Sequence, residues 1–312
     1  MLKSFSRTMT VLKVAYIPEH FSTPLFFAQQ ENYYASKNLE IEFTPVPEGT
    51  GRLIALLNSN EVDIAIGLTE GFVADIAKGN ETYKVAGTYV ESPLCWAIST
   101  GYNREDITKS EDLAGKKIGV SRIGSGSYIM SFVLGLQLKF PSPFFSDHPT
   151  CSNFKNLRES VSHTYEDESK FSDAFMWEHF TSKKYYDNKE IKKIGEIYTP
   201  WPSWVVAVRE NVLKNNYEDI KNFTACVNEG VKHFLENPDK ATSYISTNLD
   251  YSEEDAKAWL KTVKFNESLG QSEIDWESVV NNTSKVLKTA GVLTDSDQLI
   301  QDRLEKGVIK NL

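Results

Sequence analysis

Ser121-Arg-Ile-Gly-Ser-Gly-Ser-Tyr128 joins small residues, hydroxyls and one guanidinium in a single short run. Following a strand and opening a helix, such a run offers the free amides of Ser125, Gly126 and Ser127, two hydroxyls and a positive helix end to an anion or a carbonyl. Arg122 adds charge. The run is no Walker A loop, lacking G-K-S/T at the required spacing, and no full G-x-G-x-x-G, because Ile129 stands in the third glycine's place. A Ser-capped, Gly-loosened helix start explains the same residues. Trp177-Glu-His179 adds a carboxylate: Glu178 can accept hydrogen bonds from an exocyclic amine while Trp177 or Trp201 stacks on a flat ring. That combination favours a heteroaromatic ligand over a bare sulfonate, with a core tryptophan beside an N-terminal helix glutamate as the plainer alternative. Glu48-Gly-Thr-Gly51 and Gly67-Leu-Thr-Glu-Gly71 supply the Thr50 and Thr69 hydroxyls and the Glu70 carboxylate, residues that a turn with a helix cap also accounts for.

The elements that must position these groups alternate along the chain. Strands are expected over 11–16, 39–43, 62–66 and 84–87, separated by helices over 24–36, 51–58 and 71–78, the signature of a parallel sheet flanked by helices. A second alternation runs through strands at 95–99 and 117–120, a helix over 125–138, a strand at 172–176 and a helix over 177–186. Residues 140–170 show no clear period, and one short helix is placed near 153–160. In Tyr198-Thr-Pro-Trp-Pro-Ser-Trp204 two prolines bias Thr199 and Trp201 toward extended backbone, which predicts a stiff crossing strand. After a strand at 205–208 the pattern is helical: 217–236, 238–247, 252–262, 273–290 and 295–306, with Ser252 and Asp255 marking a helix start.

Composition narrows the function. With 40% apolar and 25% charged residues among 312, the chain can bury a sizeable core. A net charge of -9 without a basic stripe argues against nucleic acid as partner. No apolar run approaches the ~20 residues of a membrane helix, so no membrane insertion is expected. Cys95, Cys151 and Cys226 are odd in number and lack C-x-x-C spacing, which suits a reducing compartment. His20, His148, His163, His179 and His233 show no ligand spacing and no nucleophile elbow is present, so no metal and no catalytic residue is expected. Lys3 and Arg7 stand in a start without an apolar core or cleavage site, so export is not expected. A strand beginning at Val11 leaves little room for a mitochondrial presequence, and the expected location is cytoplasmic.

Pro24-Leu-Phe-Phe-Ala28, Glu31-Asn-Tyr-Tyr34, Asn38-Leu-Glu-Ile-Glu42 and Leu56-Leu-Asn-Ser-Asn-Glu-Val-Asp-Ile-Ala65 together resemble the opening of taurine, sulfonate, nitrate and thiamine-pyrimidine-precursor binding proteins. Leu113-Ala-Gly-Lys-Lys-Ile-Gly-Val120 with Gly124-Ser-Gly-Ser127 resembles that family's second-lobe signature, and Asp173-Ala-Phe-Met-Trp-Glu178 its D-A-x-x-W-E segment. The chain is similar to a non-exported, fungal-type member. Where the family carries turn glycines, it has Asn32, Asn38 and Asn60, the next best residue at positive φ. The resemblance implies an α/β, two-lobed type II periplasmic-binding-protein fold with a helical C-terminal segment and a ligand cleft between lobes that close on a small molecule. Carried over, lobe one is 1–92 plus 205–312 and lobe two is 93–204, with crossings near 90–94 and 199–205. The resemblance makes His20 and Phe21, after the first strand, ligand contacts; a surface histidine beside a staple-like phenylalanine is the alternative. It also turns Thr50, Gly67, Thr69 and Glu70 toward the cleft and makes Ser92 a wall residue. The implied ligand is polar, pyrimidine-like or anionic, with no cofactor. A membrane-transporter partner is in doubt without export. Fungal thiamine-pyrimidine synthases resemble this fold and hold pyridoxal phosphate with Lys and His, but the matching positions are Gly67 and Gly71. A regulatory protein that has lost its ligand is the third reading.

Overall fold

The computed structural model describes residues 9–310 and Leu312, so the basic start carrying Lys3 and Arg7 lies outside the described residues. By its contacts the chain divides into two units. The first comprises Met1–Ser92, Trp204–Trp276 and Asp295–Leu312, the second Pro93–Ser203 and Glu277–Thr294.

The first unit begins with β1 (Thr10–Tyr16), α1 (Thr23–Gln30), α2 (Tyr33–Ser36), β2 (Leu39–Pro45), α3 (Thr50–Asn58), β3 (Ile64–Leu68), α4 (Thr69–Ala77) and β4 (Tyr83–Val90). The second then contributes β5 (Cys95–Gly101), β6 (Ile118–Gly119), α5 (Gly126–Gln137), α6 (Phe154–Val161), β7 (Ala174–Glu178), α7 (His179–Asp187) and β8 (Ile191–Tyr198). Back in the first unit come β9 (Trp204–Arg209), α8 (Glu210–Asn215), α9 (Tyr217–Glu236), α10 (Pro238–Asn248) and α11 (Glu253–Leu260). A π-helical turn, Glu277–Asn282, and α12 (Thr283–Thr289) belong to the second unit; α13 (Asp297–Gly307) closes the first.

The expected alternation is present, but the first sheet is mixed rather than parallel. Its order is β2-β1-β3-β9-β4. β1 runs parallel to β2 and β3, while β9 lies antiparallel between β3 and β4. Trp204–Val208 is an unbroken apolar run, buried throughout. Such a strand suits the middle of a sheet covered on both faces, so it displaces β4 from β3. Asn32, Asn38 and Asn60 take φ of 58°, 57° and 61°, the left-handed backbone expected of them. Asn32 also divides the single helix expected over 24–36 into α1 and α2.

The second sheet, β6-β7-β5-β8, has a strand that periodicity did not reveal. β8 lies at its edge and is only partly buried, so lysines alternate imperfectly with Ile191, Ile194 and Ile197 and no clean period of two emerges. The aperiodic stretch over 140–170 packs nonetheless: Cys151, Leu157 and Val161 form a core with Phe175 and Ile191. Parallel bridges Lys117↔Asp147 and Val120↔Thr150 add it to the sheet beside β6. Residues 277–294 belong to the second unit, whereas the family resemblance puts 205–312 whole in lobe one. The Tyr128 hydroxyl of α5 donates to the Ala290 carbonyl at 3.1 Å, tying α12 to that unit. The helix expected over 273–290 starts only at Glu277, as a π turn.

Asn38→Ala should lower stability by about 1–2 kcal/mol, since its Cβ penalises the left-handed turn, whereas Asn38→Gly should lose less. Urea-unfolding midpoints of the two variants check this; equal losses would contradict a left-handed requirement at Asn38.

Candidate ligand-binding site

In the first unit the strand-end loops of β1, β2 and β3 share one sheet edge, because these strands are parallel. Thr50 begins α3 and is buried; its hydroxyl accepts the Leu68 amide at 3.0 Å, joining the loop after β2 to the end of β3. The space that side chains at 67 and 71 would need is already filled. A Cβ on Gly67 would lie 2.6 Å from Leu53 Cδ1, and one on Gly71 2.6 Å from Thr50 Cγ2. Neither position leaves room for the lysine or histidine of the pyridoxal-binding synthases. Thr69 and Glu70, in the first turn of α4, are buried.

His20 and Phe21 form a short 3-10 turn after β1, and both are buried. The His20 ring stacks between Tyr251, at 4.4 Å and 8°, and Trp259, at 4.1 Å and 21°. Burial drives its pKa well below the ordinary histidine value. Phe21 packs on Trp204 and Trp259. Sequence reasoning missed Tyr251 and Trp259, whose aromatic character carries no mark of a partner more than two hundred residues away. The Ser92 hydroxyl accepts the Lys264 amide at 3.0 Å.

In the second unit β6 and β7 are parallel neighbours, so the serine-glycine loop and Glu178 stand at the same edge of their sheet. Ser125 is the N-cap of α5, its hydroxyl accepting the Tyr128 amide at 3.3 Å. The Ser127 hydroxyl accepts the Ser121 amide at 3.0 Å and lies 2.9 Å from that of Ser125. Two expectations are thereby corrected. The Ser125 amide is not free, since it donates to the Arg122 carbonyl at 3.1 Å, and both hydroxyls are engaged in folding the loop on itself. The donors that the helix does not use are the amides of its first two residues, Gly126 and Ser127. Arg122, four residues before Gly126 in the same loop, is exposed.

Trp177 and Glu178 end β7 rather than open the following helix, a third correction, because the ladder with β5 continues through Trp96↔Glu178. Trp177 stacks on Phe154 at 5.2 Å and 15°. Glu178 is the N-cap of α7, accepting the Thr181 amide at 2.7 Å and the Thr181 hydroxyl at 2.9 Å. Burial pushes its carboxyl up to about 7, against the pull of these donors. Trp201 is buried, its carbonyl accepting the Thr199 hydroxyl at 2.9 Å. Asp173, conspicuous in the D-A-x-x-W-E segment, is structural: it accepts Arg104 Nη2 at 2.7 Å and the Lys117 amide at 2.9 Å.

Comparison with known proteins gives a consistent picture. The family model for Ca3427-like periplasmic binding proteins matches residues 96–197, and the NMT1/THI5-like model matches residues 19–136. The Candida albicans CA3427 gene product, described as defining a family with the generic periplasmic binding protein fold, is 60% identical, with a TM-score of 0.91 over 97% of each chain. The alkanesulfonate-binding protein SsuA from Xanthomonas axonopodis pv. citri, bound to MOPS, is 10% identical with a TM-score of 0.74, covering 97% of this chain and 99% of that one. The nitrate-binding protein NrtA from Synechocystis PCC 6803 is 14% identical with a TM-score of 0.67, covering 97% and 86%. No curated protein matches the chain. The fold is therefore the α/β periplasmic-binding-protein fold.

His20 supplies a pH dependence with a definite sign. Below the ordinary histidine value of 6.5 the unfolded chain binds a proton that the buried ring resists, so stability falls as pH drops, by up to about 1.4 kcal/mol per pH unit. His20→Phe keeps an aromatic slab between Tyr251 and Trp259 and should flatten this slope. Unfolding free energies at pH 7.5 and 5.0 test it; an unchanged difference in the variant would contradict the assignment.

Proposed function

Because the chain belongs to the family defined by the Candida albicans CA3427 gene product, we propose that it is a small-molecule binding protein for a polar ligand, pyrimidine-like or anionic. The observation that carries this reading is the arrangement of donors at strand ends. In the second unit the unused amides of Gly126 and Ser127, at the positive end of α5, stand on the same sheet edge as the Glu178 carboxyl. An anionic group suits the amides and the positive charge of Arg122 in the same loop. An exocyclic amine suits the Glu178 carboxyl, which burial pushes up to about 7.

Two structural relatives support the anionic side, since one is named for alkanesulfonate and the other for nitrate. A pyrimidine-like ligand is supported by the match of residues 19–136 to the NMT1/THI5-like model. We place the protein in the cytoplasm, a reading supported by the free cysteines Cys95, Cys151 and Cys226. Among the described residues no helix is long and apolar enough to cross a membrane.

A thermal-shift panel of alkanesulfonates, nitrate and aminopyrimidines tests the reading. A true ligand at ~100 times its dissociation constant adds about 2.7 kcal/mol of stability. Gly126→Pro supplies the control, because proline is tolerated at the first helical position yet removes one amide donor. The Ser125 backbone, at φ -74° and ψ 167°, already suits a following proline. The variant should fold and bind the anion more weakly by about 1.5–3 kcal/mol. No stabilisation by any member of the panel, or equal stabilisation of the variant, would count against the proposal.

A further inference from the structure

Three different metal-ligating side chains, from β5, β8 and the first residue of α7, meet in the second unit, and no part of the ligand-binding reading uses them. Cys95 opens β5, with Tyr198 of β8 as its register partner. On the other side Trp96 pairs with Glu178, so the antiparallel ladder brings the next residue, His179, opposite Cys95. Glu196 is the register partner of Ala97 and, two residues from Tyr198, projects to the same face as Cys95. The Cys95 sulfur, an imidazole nitrogen of His179 and a carboxylate oxygen of Glu196 all lie within 4.8 Å of one another.

The site already attracts positive charge. Lys193 places its ammonium 2.6 Å from Glu196 Oε2 and 3.4 Å from His179 Nδ1. A bulge makes this possible: the register passes from Ile98↔Gly195 to Ser99↔Lys193, skipping Ile194, so Lys193 and Glu196 reach one face although three residues apart. The Tyr198 hydroxyl donates to Glu196 Oε1 at 3.0 Å and orients the carboxylate.

We propose that Cys95, His179 and Glu196 bind a divalent metal ion of borderline softness, zinc being the best match, through one thiolate, one imidazole and one carboxylate. Magnesium and calcium take oxygen ligands, whereas a mixed sulfur, nitrogen and oxygen set suits zinc and its neighbours. Bonds of about 2.0–2.3 Å put tetrahedral ligand atoms roughly 3.3–3.7 Å apart, so each of the three atoms moves by about 1 Å or less to reach one ion. Glu196, with 41% of its side chain exposed, has that freedom, and Lys193, 30% exposed, can swing out into water. Burial pushes the Cys95 thiol up to about 11, so the incoming ion displaces its proton to solvent. One thiolate and one carboxylate then balance the two charges of the ion, and the fourth tetrahedral position is left to water.

Titration of the chelator-treated full chain with Co2+, following the thiolate-to-cobalt charge-transfer absorption, tests the site. Saturation at one ion per chain is expected, with the band abolished in Cys95→Ser and zinc affinity reduced at least about tenfold in His179→Ala and Glu196→Gln. Absence of the band at saturating cobalt, a band that survives in Cys95→Ser, or unchanged zinc affinity in both other variants overturns the assignment. Should Cys95→Ser fail to fold by far-ultraviolet circular dichroism, Glu196→Gln, altered at an exposed side chain, decides the question through zinc affinity alone.

Discussion

Trp204 is the residue on which the first unit's strand-end loops depend. It opens β9, and it is the register partner of both Leu68, the last residue of β3, and Val90, the last residue of β4. Its ring lies 5.1 Å from that of Phe21, in the turn after β1. One residue thus pairs through its backbone with the ends of β3 and β4 and packs its ring on the turn after β1. The constraint behind this is backbone desolvation: a central strand buried on both faces must find hydrogen-bond partners on both sides, and only β3 and β4 provide them. With β9 in place, Gly67 closes against Thr50 and Leu53, and the Thr50 hydroxyl can accept the Leu68 amide.

The second unit solves the same problem with hydroxyls and a carboxyl. The serines at the start of α5 satisfy the Ser121 and Tyr128 amides, and Glu178 satisfies that of Thr181. What remains for a ligand at this edge is the pair of helix-start amides of Gly126 and Ser127, beside a buried Glu178 carboxyl that already caps α7. The same β5–β7 register that ends with Trp96↔Glu178 also brings His179 to Cys95, so two separate chemistries share one ladder.

Much of this was legible in the sequence, for identifiable reasons. The α/β alternation followed from strand and helix periods, the family resemblance from short segments between residues 24 and 178, and the three asparagines at positive φ from the turn glycines that the resemblance puts at their positions together with backbone sterics. The long helix over 217–236 matched the observed Tyr217–Glu236, because a wide apolar stripe sets its period. Long-range pairing was not legible. The central place of β9, the edge strand β8 and the stacking of His20 between Tyr251 and Trp259 depend on residues far apart in the chain, and local pattern holds no record of them. The meeting of Cys95, His179 and Glu196 escaped for the same reason, since metal motifs are legible only when ligands recur at short spacing. The serine-glycine run was found, but which donors remain for a ligand depends on hydrogen bonds that composition cannot reveal.

Native mass spectrometry of the full chain purified from its own source tests the ligand-binding claim most directly, because it presupposes no ligand. The account predicts a non-covalent adduct of one small polar molecule, displaced on gentle activation and depleted when the Gly126 amide is removed. Only the bare chain mass, across preparations that retain the native fold, would contradict it.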